Sequence, residues 1–210
     1  MKLEAVPIVR RFTLSKKPIV GEVVAARGMV IVADSAGVLA AAMERGDAGW
    51  RLPTKSTTNE NSFPVEVGNR GFFADRKGLL VCVDLEAGKV LWQALLSARS
   101  SIGVFQDLAC GEQGVFAWVK GTLYGLSPET GEPLFAPITG VAAPPLYREG
   151  RIYYGTEQGS LRIADAATGR VLGTLDVKAR ISTRPTWSAG MLFVGTWAGE
   201  IVQINTAAVR

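Results

Sequence analysis

Histidine is absent from all 210 residues. That absence removes Ser-His-Asp and Cys-His catalytic sets, His-ligated zinc and His-ligated haem. It leaves carboxylate-pair chemistry open. Cysteine is nearly absent too: Cys82 and Cys110 cannot build a Cys-only zinc site, and both sit in apolar runs that read as buried free thiols. No Asn-x-Ser/Thr sequon, phosphate-binding loop or dinucleotide glycine fingerprint occurs. Long hydrophobic runs are also lacking. The longest weakly polar stretch, Gly28 to Met43, carries Asp34 and is shorter than the roughly 20 residues of a membrane span. The opening MKLEAVPIVRRF lacks the apolar centre of about 7–15 residues that a secretory signal needs. These readings predict a soluble chain with no membrane span, no metal site and no cofactor.

What is present is glycine, 24 residues of it, in a chain that is 48% hydrophobic and 20% charged. With long helical patterns missing, that composition favours many short strands joined by tight turns. The stretch from Gly150 to Gly173 reads strand, turn, strand, turn, strand. The glycine of its first turn, Gly159, has equivalents at Gly37, Gly78, Gly121 and Gly199. A recurrence near 40 residues is the mark of a repeat architecture. Other slots keep the register. Gly28, Asn69, Gly150 and Gly190 precede the second strand, and Pro64, Pro145 and Pro185 precede the first. Gly46, Gly88, Gly131 and Gly169 mark the second turn, and four residues after them come Trp50, Trp92, Phe135 and Gly173. Aromatics in that slot are expected to wedge between neighbouring sheets.

The second strands are apolar throughout, as in MVIV after Gly28 and MLFV after Gly190. Short strands without alternation are buried on both faces. Sheets stacked on both sides around an axis satisfy that demand with antiparallel strands. The pattern therefore predicts an all-β fold, a five-bladed β-propeller of four-stranded antiparallel blades, in a single domain over residues 1–210. The fifth repeat has no fourth strand of its own. Pro7 to Leu14 reads as an extra strand, expected to pair antiparallel with Glu200–Asn205 and close the ring.

The segments GLLVCVDLEAGKVLW, GTLYGLSPETGEPLF and GSLRIADAATGRVLG resemble the repeat of quinoprotein-like (PQQ-like repeat) β-propellers, whose unit is a Gly-x-Leu-Tyr-Ala-Leu-Asp run, a Thr-Gly turn and a Lys-Val-Leu-Trp strand. That family includes quinoprotein alcohol dehydrogenases and the outer-membrane assembly lipoprotein BamB. The enzymes hold their quinone and calcium with about eight blades and adjacent cysteines, and no residues here correspond to that site. The resemblance thus implies a BamB-like, non-enzymatic bacterial member. It implies a protein-interaction scaffold within a larger assembly, in the periplasm or cell envelope; a chain complete as given would be cytoplasmic.

Two rival functions follow from the same residues. One is a ligand- or quinone-binding sensor or enzyme using the central channel, where Glu66 and Asp107 on innermost strands could face each other. The other is a nucleic-acid-binding module using a basic face. Loops between second and third strands, together with the links between repeats, lie on one face. That face gathers Lys16, Lys17, Lys55, Arg76, Lys77, Arg99, Lys120, Lys178, Arg180 and Arg184, more basic than acidic residues. Trp118 and Trp197 stand on the same face, in slots whose counterparts are mostly polar. They are either exposed contact residues or folded back on the neighbouring blade. These twelve residues are the candidate partner-binding set. They predict a protein partner with an acidic surface or segment; a net charge of +4 is too modest to favour nucleic acid.

Overall fold

The structure, a computed structural model, describes residue 11 and residues 13–34, 37–42, 48–53, 65–74, 78–96 and 105–206. The described chain forms five antiparallel sheets, each from consecutive strands. Sheet 1 contains β1 (Ile19–Ala26), β2 (Met29–Asp34), β3 (Gly37–Ala42) and β4 (Ala48–Pro53). Sheet 2 contains β5 (Val65–Val67), β6 (Arg70–Ala74), β7 (Leu79–Asp84) and β8 (Lys89–Leu95). Sheet 3 contains β9 (Phe105–Gly111), β10 (Gly114–Val119), β11 (Thr122–Leu126) and β12 (Ile138–Thr139). Sheet 4 contains β13 (Leu146–Arg148), β14 (Arg151–Gly155), β15 (Ser160–Asp165) and β16 (Val171–Asp176). Sheet 5 contains β17 (Thr186–Ser188), β18 (Met191–Gly195) and β19 (Ile201–Ile204).

The proline slot sets the length of the innermost strand. Where Pro64, Pro145 or Pro185 precedes it, that strand has 3 residues; where Val23 or Asp107 fills the slot, it has 8 or 7. Proline cannot donate to the ladder, so pairing starts only after it. The same chemistry goes with the 2-residue β12, which follows directly on Pro137.

In sheets 2, 3 and 4 the second strands are buried on both faces because each of these sheets lies between two others. On β6, Phe72 packs towards sheet 3 and Phe73 towards sheet 1. On β14, Tyr154 packs towards sheet 3 and Tyr153 towards sheet 5. Four core clusters join successive sheets in chain order. Each large side chain so buried contributes about 1.5–3 kcal/mol.

The aromatic slot does the joining at the rim. Trp50 lies against Gly88 of the next sheet, Trp92 against Gly131 and Phe135 against Gly169. The indole N–H of Trp50 donates to Leu85 O at 2.8 Å, and that of Trp92 to Pro128 O at 3.1 Å. Ion pairs between Arg27 and Glu86 and between Arg70 and Glu129 also join neighbouring sheets.

The expected closure falls largely outside the described residues. Of Pro7 to Leu14, only Arg11, Thr13 and Leu14 are described, and they belong to no strand. Among the described residues no core cluster joins sheet 5 to sheet 1.

Candidate partner-binding face and central cavity

The consecutive strand order fixes which loops share a face. In sheets 3 and 4 the second-to-third loop and the link to the next sheet lie at the same end. At that end a glycine with positive φ precedes the third strand, as Gly121, Gly159 and Gly199 do. The side chains just before it are therefore displayed on a tight, rigid turn.

Trp197 is one of them, and it is 72% exposed. Its backbone N–H donates to Arg180 O at 2.9 Å, which ties the turn to the link from sheet 4. The Arg180 guanidinium lies over the indole, 5.4 Å from its centroid. A cation stacked on an exposed indole presents a planar, apolar and positively charged surface. Two residues earlier, exposed Lys178 pairs with Asp176 at 2.5 Å. That pairing raises the Lys178 pKa and lowers the Asp176 pKa through their side-chain hydrogen bond.

Trp118 takes the other course. It is half-buried in the cluster between sheets 3 and 4, and its indole N–H donates to Val141 O at 3.0 Å. Nearby Val141 accounts for the difference, since it offers a carbonyl that satisfies the indole. Trp118 thus braces two sheets and is not a projecting contact.

Arg184 also turns away from the expected surface. Its guanidinium pairs with the Asp107 carboxylate at 2.5 Å and donates to Leu108 O at 2.9 Å. Lys16, Lys17 and Lys120 are exposed on their loops. Lys55, Arg76, Lys77 and Arg99 lie outside the described residues. The structure therefore brings together Lys178, Arg180 and Trp197, and separates Trp118 and Arg184 from them.

Arg184 points instead to a cavity of about 370 Å³ where all five innermost segments converge. Val24, Glu66, Leu108, Leu146 and Arg184 line it, one from each repeat. Glu66 faces it as the sequence pattern suggests, while Asp107 is held by Arg184. Cys110 lines the cavity as well; its thiol donates to Glu66 O at 3.2 Å, and burial pushes its pKa up to about 12. Among the described residues, no group of three or more His, Cys, Asp or Glu is placed to hold a metal. Among the described residues no helix is long and apolar enough to cross a membrane.

The Arg184 role was not legible in the charge pattern, because a link residue can face either the rim or the axis. The Asp-x-x-Thr turn is a second feature that the repeat count passes over. Asp165 accepts from the Thr168 hydroxyl at 2.7 Å and its N–H at 2.9 Å, and these bonds hold its carboxyl below the usual range. The Asp four residues before Gly88 and Gly169, with Ser127 in the same slot before Gly131, was the available signal.

Comparison with known proteins points in one direction. The family model for the outer membrane protein assembly factor BamB matches residues 11–109, 34–137 and 119–209. BamB of Moranella endobia is 28% identical over 171 residues, 71% of this chain and 43% of that protein. BamB of Yersinia pestis is 26% identical over 153 residues, 66% of this chain and 39% of that protein. The chain spans about two-fifths of the length of these curated relatives. Among solved structures, BamB from Moraxella catarrhalis superposes with a TM-score of 0.74 at 18% identity, covering 94% of this chain and 62% of that one. The computationally designed Ika8 protein gives 0.65 at 17% identity, covering 86% and 56%.

Proposed function

From the premise that this chain belongs to the family of the outer membrane protein assembly factor BamB, a family of PQQ-repeat β-propellers, we propose that it is a non-catalytic scaffold that binds another protein within a larger assembly of the cell envelope. The five repeats form the scaffold as one domain over residues 1–210. The partner docks on the face that carries Lys178, Arg180 and Trp197, and it presents an acidic surface or segment there.

The observation that carries this reading is Trp197. An indole exposed to 72%, fixed through its backbone to Arg180 and covered on one side by that guanidinium, is preorganised before any partner arrives. Tryptophan and arginine are enriched among the residues that carry most of the binding energy at protein interfaces, and here the guanidinium is already stacked on the indole. Basic neighbours steer an acidic partner to the spot. Lys16, Lys17 and Lys120 extend the basic field on the same face, and Lys55, Arg76, Lys77 and Arg99 belong to its loops by sequence position.

A photo-crosslinking residue in place of Trp197, introduced into the full chain in its native cell, tests the reading. It should trap a protein partner. Lys178→Glu with Arg180→Glu should reduce that adduct several-fold while the melting temperature holds. The reading fails if no protein is trapped from position 197, or if Glu129→Lys with Glu132→Lys on the opposite face does the damage instead.

A further inference from the structure

We infer that Asp176 is a positioning residue of the partner-binding face: it folds the loop that lays Arg180 on Trp197, and so reserves that guanidinium for a carboxylate side chain of the partner protein. Two links between sheets show how the loop arises. In the link from sheet 3 to sheet 4 one residue does two jobs. Val141 N–H donates to Gly121 O at 2.9 Å, and Val141 also bridges Thr156 at the end of β14. In the link from sheet 4 to sheet 5 those jobs are split. Val177 N–H donates to Gly159 O at 2.9 Å, and Ile181 bridges Thr196 at the end of β18. Residues 178–180 run between them as an added loop. The loop lies close over Gly159, where an added Cβ would meet the Ala179 backbone at 3.2 Å.

The added loop contains no glycine, yet Lys178 has a φ of +65°, a left-handed conformation that disfavours a side chain. Asp176 supplies the hold. Its Oδ1 accepts the Lys178 N–H at 2.9 Å, and its Oδ2 pairs with Lys178 Nζ at 2.5 Å. The chain then turns back so that Arg180 O accepts the Trp197 N–H at 2.9 Å, and the guanidinium comes to rest 5.4 Å from the indole centroid. The equivalent tie between sheets 3 and 4 runs from Glu157 N–H to Gly140 O at 3.0 Å. It has a glycine in the place of Arg180 and a glutamate in the place of Trp197, so it carries no such stack.

The same pairing sorts the two cations of the loop. Lys178 spends its charge on Asp176, whereas no carboxylate among the described residues pairs with Arg180. Arg180 and Trp197 are both exposed. Guanidinium N–H groups form a planar fork, and a carboxylate meets two of them side by side. An ammonium cannot match that geometry. The group recognised is therefore the side-chain carboxylate of an aspartate or glutamate on the partner. That half of the inference rests on the proposed docking of a protein at this face; the positioning role of Asp176 does not.

Two measurements on the full chain test the two halves. The first is the ring-current shift of the Arg180 side-chain protons in the NMR spectrum, taken as the part that Trp197→Ala abolishes. Asp176→Ala should abolish it too, while the melting temperature holds. Asp176→Asn keeps the Oδ1 acceptor and should retain the shift. Lys178→Gly removes the ammonium and suits a positive φ, so it should also retain it. The positioning role is overturned if the parent shows no such shift, if Asp176→Ala keeps it, or if Asp176→Asn loses it as fully as Asp176→Ala. The second measurement uses a photo-crosslinking residue in place of exposed Ala198, beside the stack, in the native cell. Asp176→Ala and Arg180→Lys should each reduce the protein adduct several-fold, and Asp176→Asn should leave it at the parent level. An undiminished adduct in Arg180→Lys would show that bare charge suffices and would overturn the carboxylate fork. If no protein is trapped even by the parent while the shifts behave as expected, the docking reading and its carboxylate fail together and the positioning role of Asp176 stands.

Discussion

Gly131→Ala tests the wedge that couples one sheet to the next. Gly131 has φ of +74°, a left-handed conformation that costs an L-residue about 1–2 kcal/mol. A Cβ there would also lie 2.6 Å from Cε3 of Trp92. The indole cannot simply retreat, because its N–H is bonded to Pro128 O and its ring is packed near Phe72 at 5.8 Å. Overpacking of this kind adds about 1–3 kcal/mol. The total expected loss is about 2–5 kcal/mol. Gly190→Ala is the matched control: its φ of +78° is equally left-handed, and a Cβ there meets nothing within 4 Å. It should cost only the backbone part, about 1–2 kcal/mol. Urea unfolding followed by tryptophan fluorescence reads both midpoints at unchanged slope. In the background of Trp92→Ala, itself expected to cost about 3–5 kcal/mol, the extra penalty of Gly131→Ala should vanish, since the atom it strikes is gone. Equal losses for Gly131→Ala and Gly190→Ala would refute the wedge.

Three further outcomes can be checked. Burial pushes both thiols up to about 12, so in the native state at pH 8 Cys82 and Cys110 should react with a disulfide reagent about a thousandfold more slowly than a free thiol, and both should label at once in urea; rapid native labelling of Cys82 would contradict its burial. Asp165, held low first by the Thr168 hydroxyl, has a folded pKa below its unfolded one, so its contribution is present above the unfolded value near 4 and is lost as pH falls through the folded value. The urea midpoint should therefore drop below about pH 4, and Asp165→Asn should flatten part of that drop; an unaltered acid profile would show that the turn carries none of it. Asp107→Asn removes the carboxylate opposite Arg184 and should destabilise the chain, by less than the roughly 3–5 kcal/mol of a fully buried pair because Arg184 is partly exposed; restoration by the paired change Arg184→Met would identify the stranded cation as the cause.

The sequence by itself determined the sheets. Backbone demands repeat locally: a glycine at each left-handed turn, a proline before an inner strand and an unbroken apolar run in a strand covered on both faces. Those signals placed sheet 4 closely: the strand, turn, strand, turn, strand read between Gly150 and Gly173 is found as β14 (Arg151–Gly155), β15 (Ser160–Asp165) and the start of β16 (Val171–Asp176). The aromatic slot was legible for the same reason, since the glycine that receives Trp92 lies one repeat on, at Gly131. Only the tertiary structure decided what the loop side chains do. Trp118 and Trp197 have similar turns and similar polar counterparts, yet Trp118 finds the Val141 carbonyl and folds in, while Trp197 takes its tie through the backbone and leaves its ring in solvent. Arg184 reads as one more surface cation until Asp107 is placed beside it from another sheet, 77 positions back along the chain. A turn's backbone is set by the few residues within it, but the direction of a long side chain is set by whichever distant carbonyl or carboxylate the folded chain brings within reach.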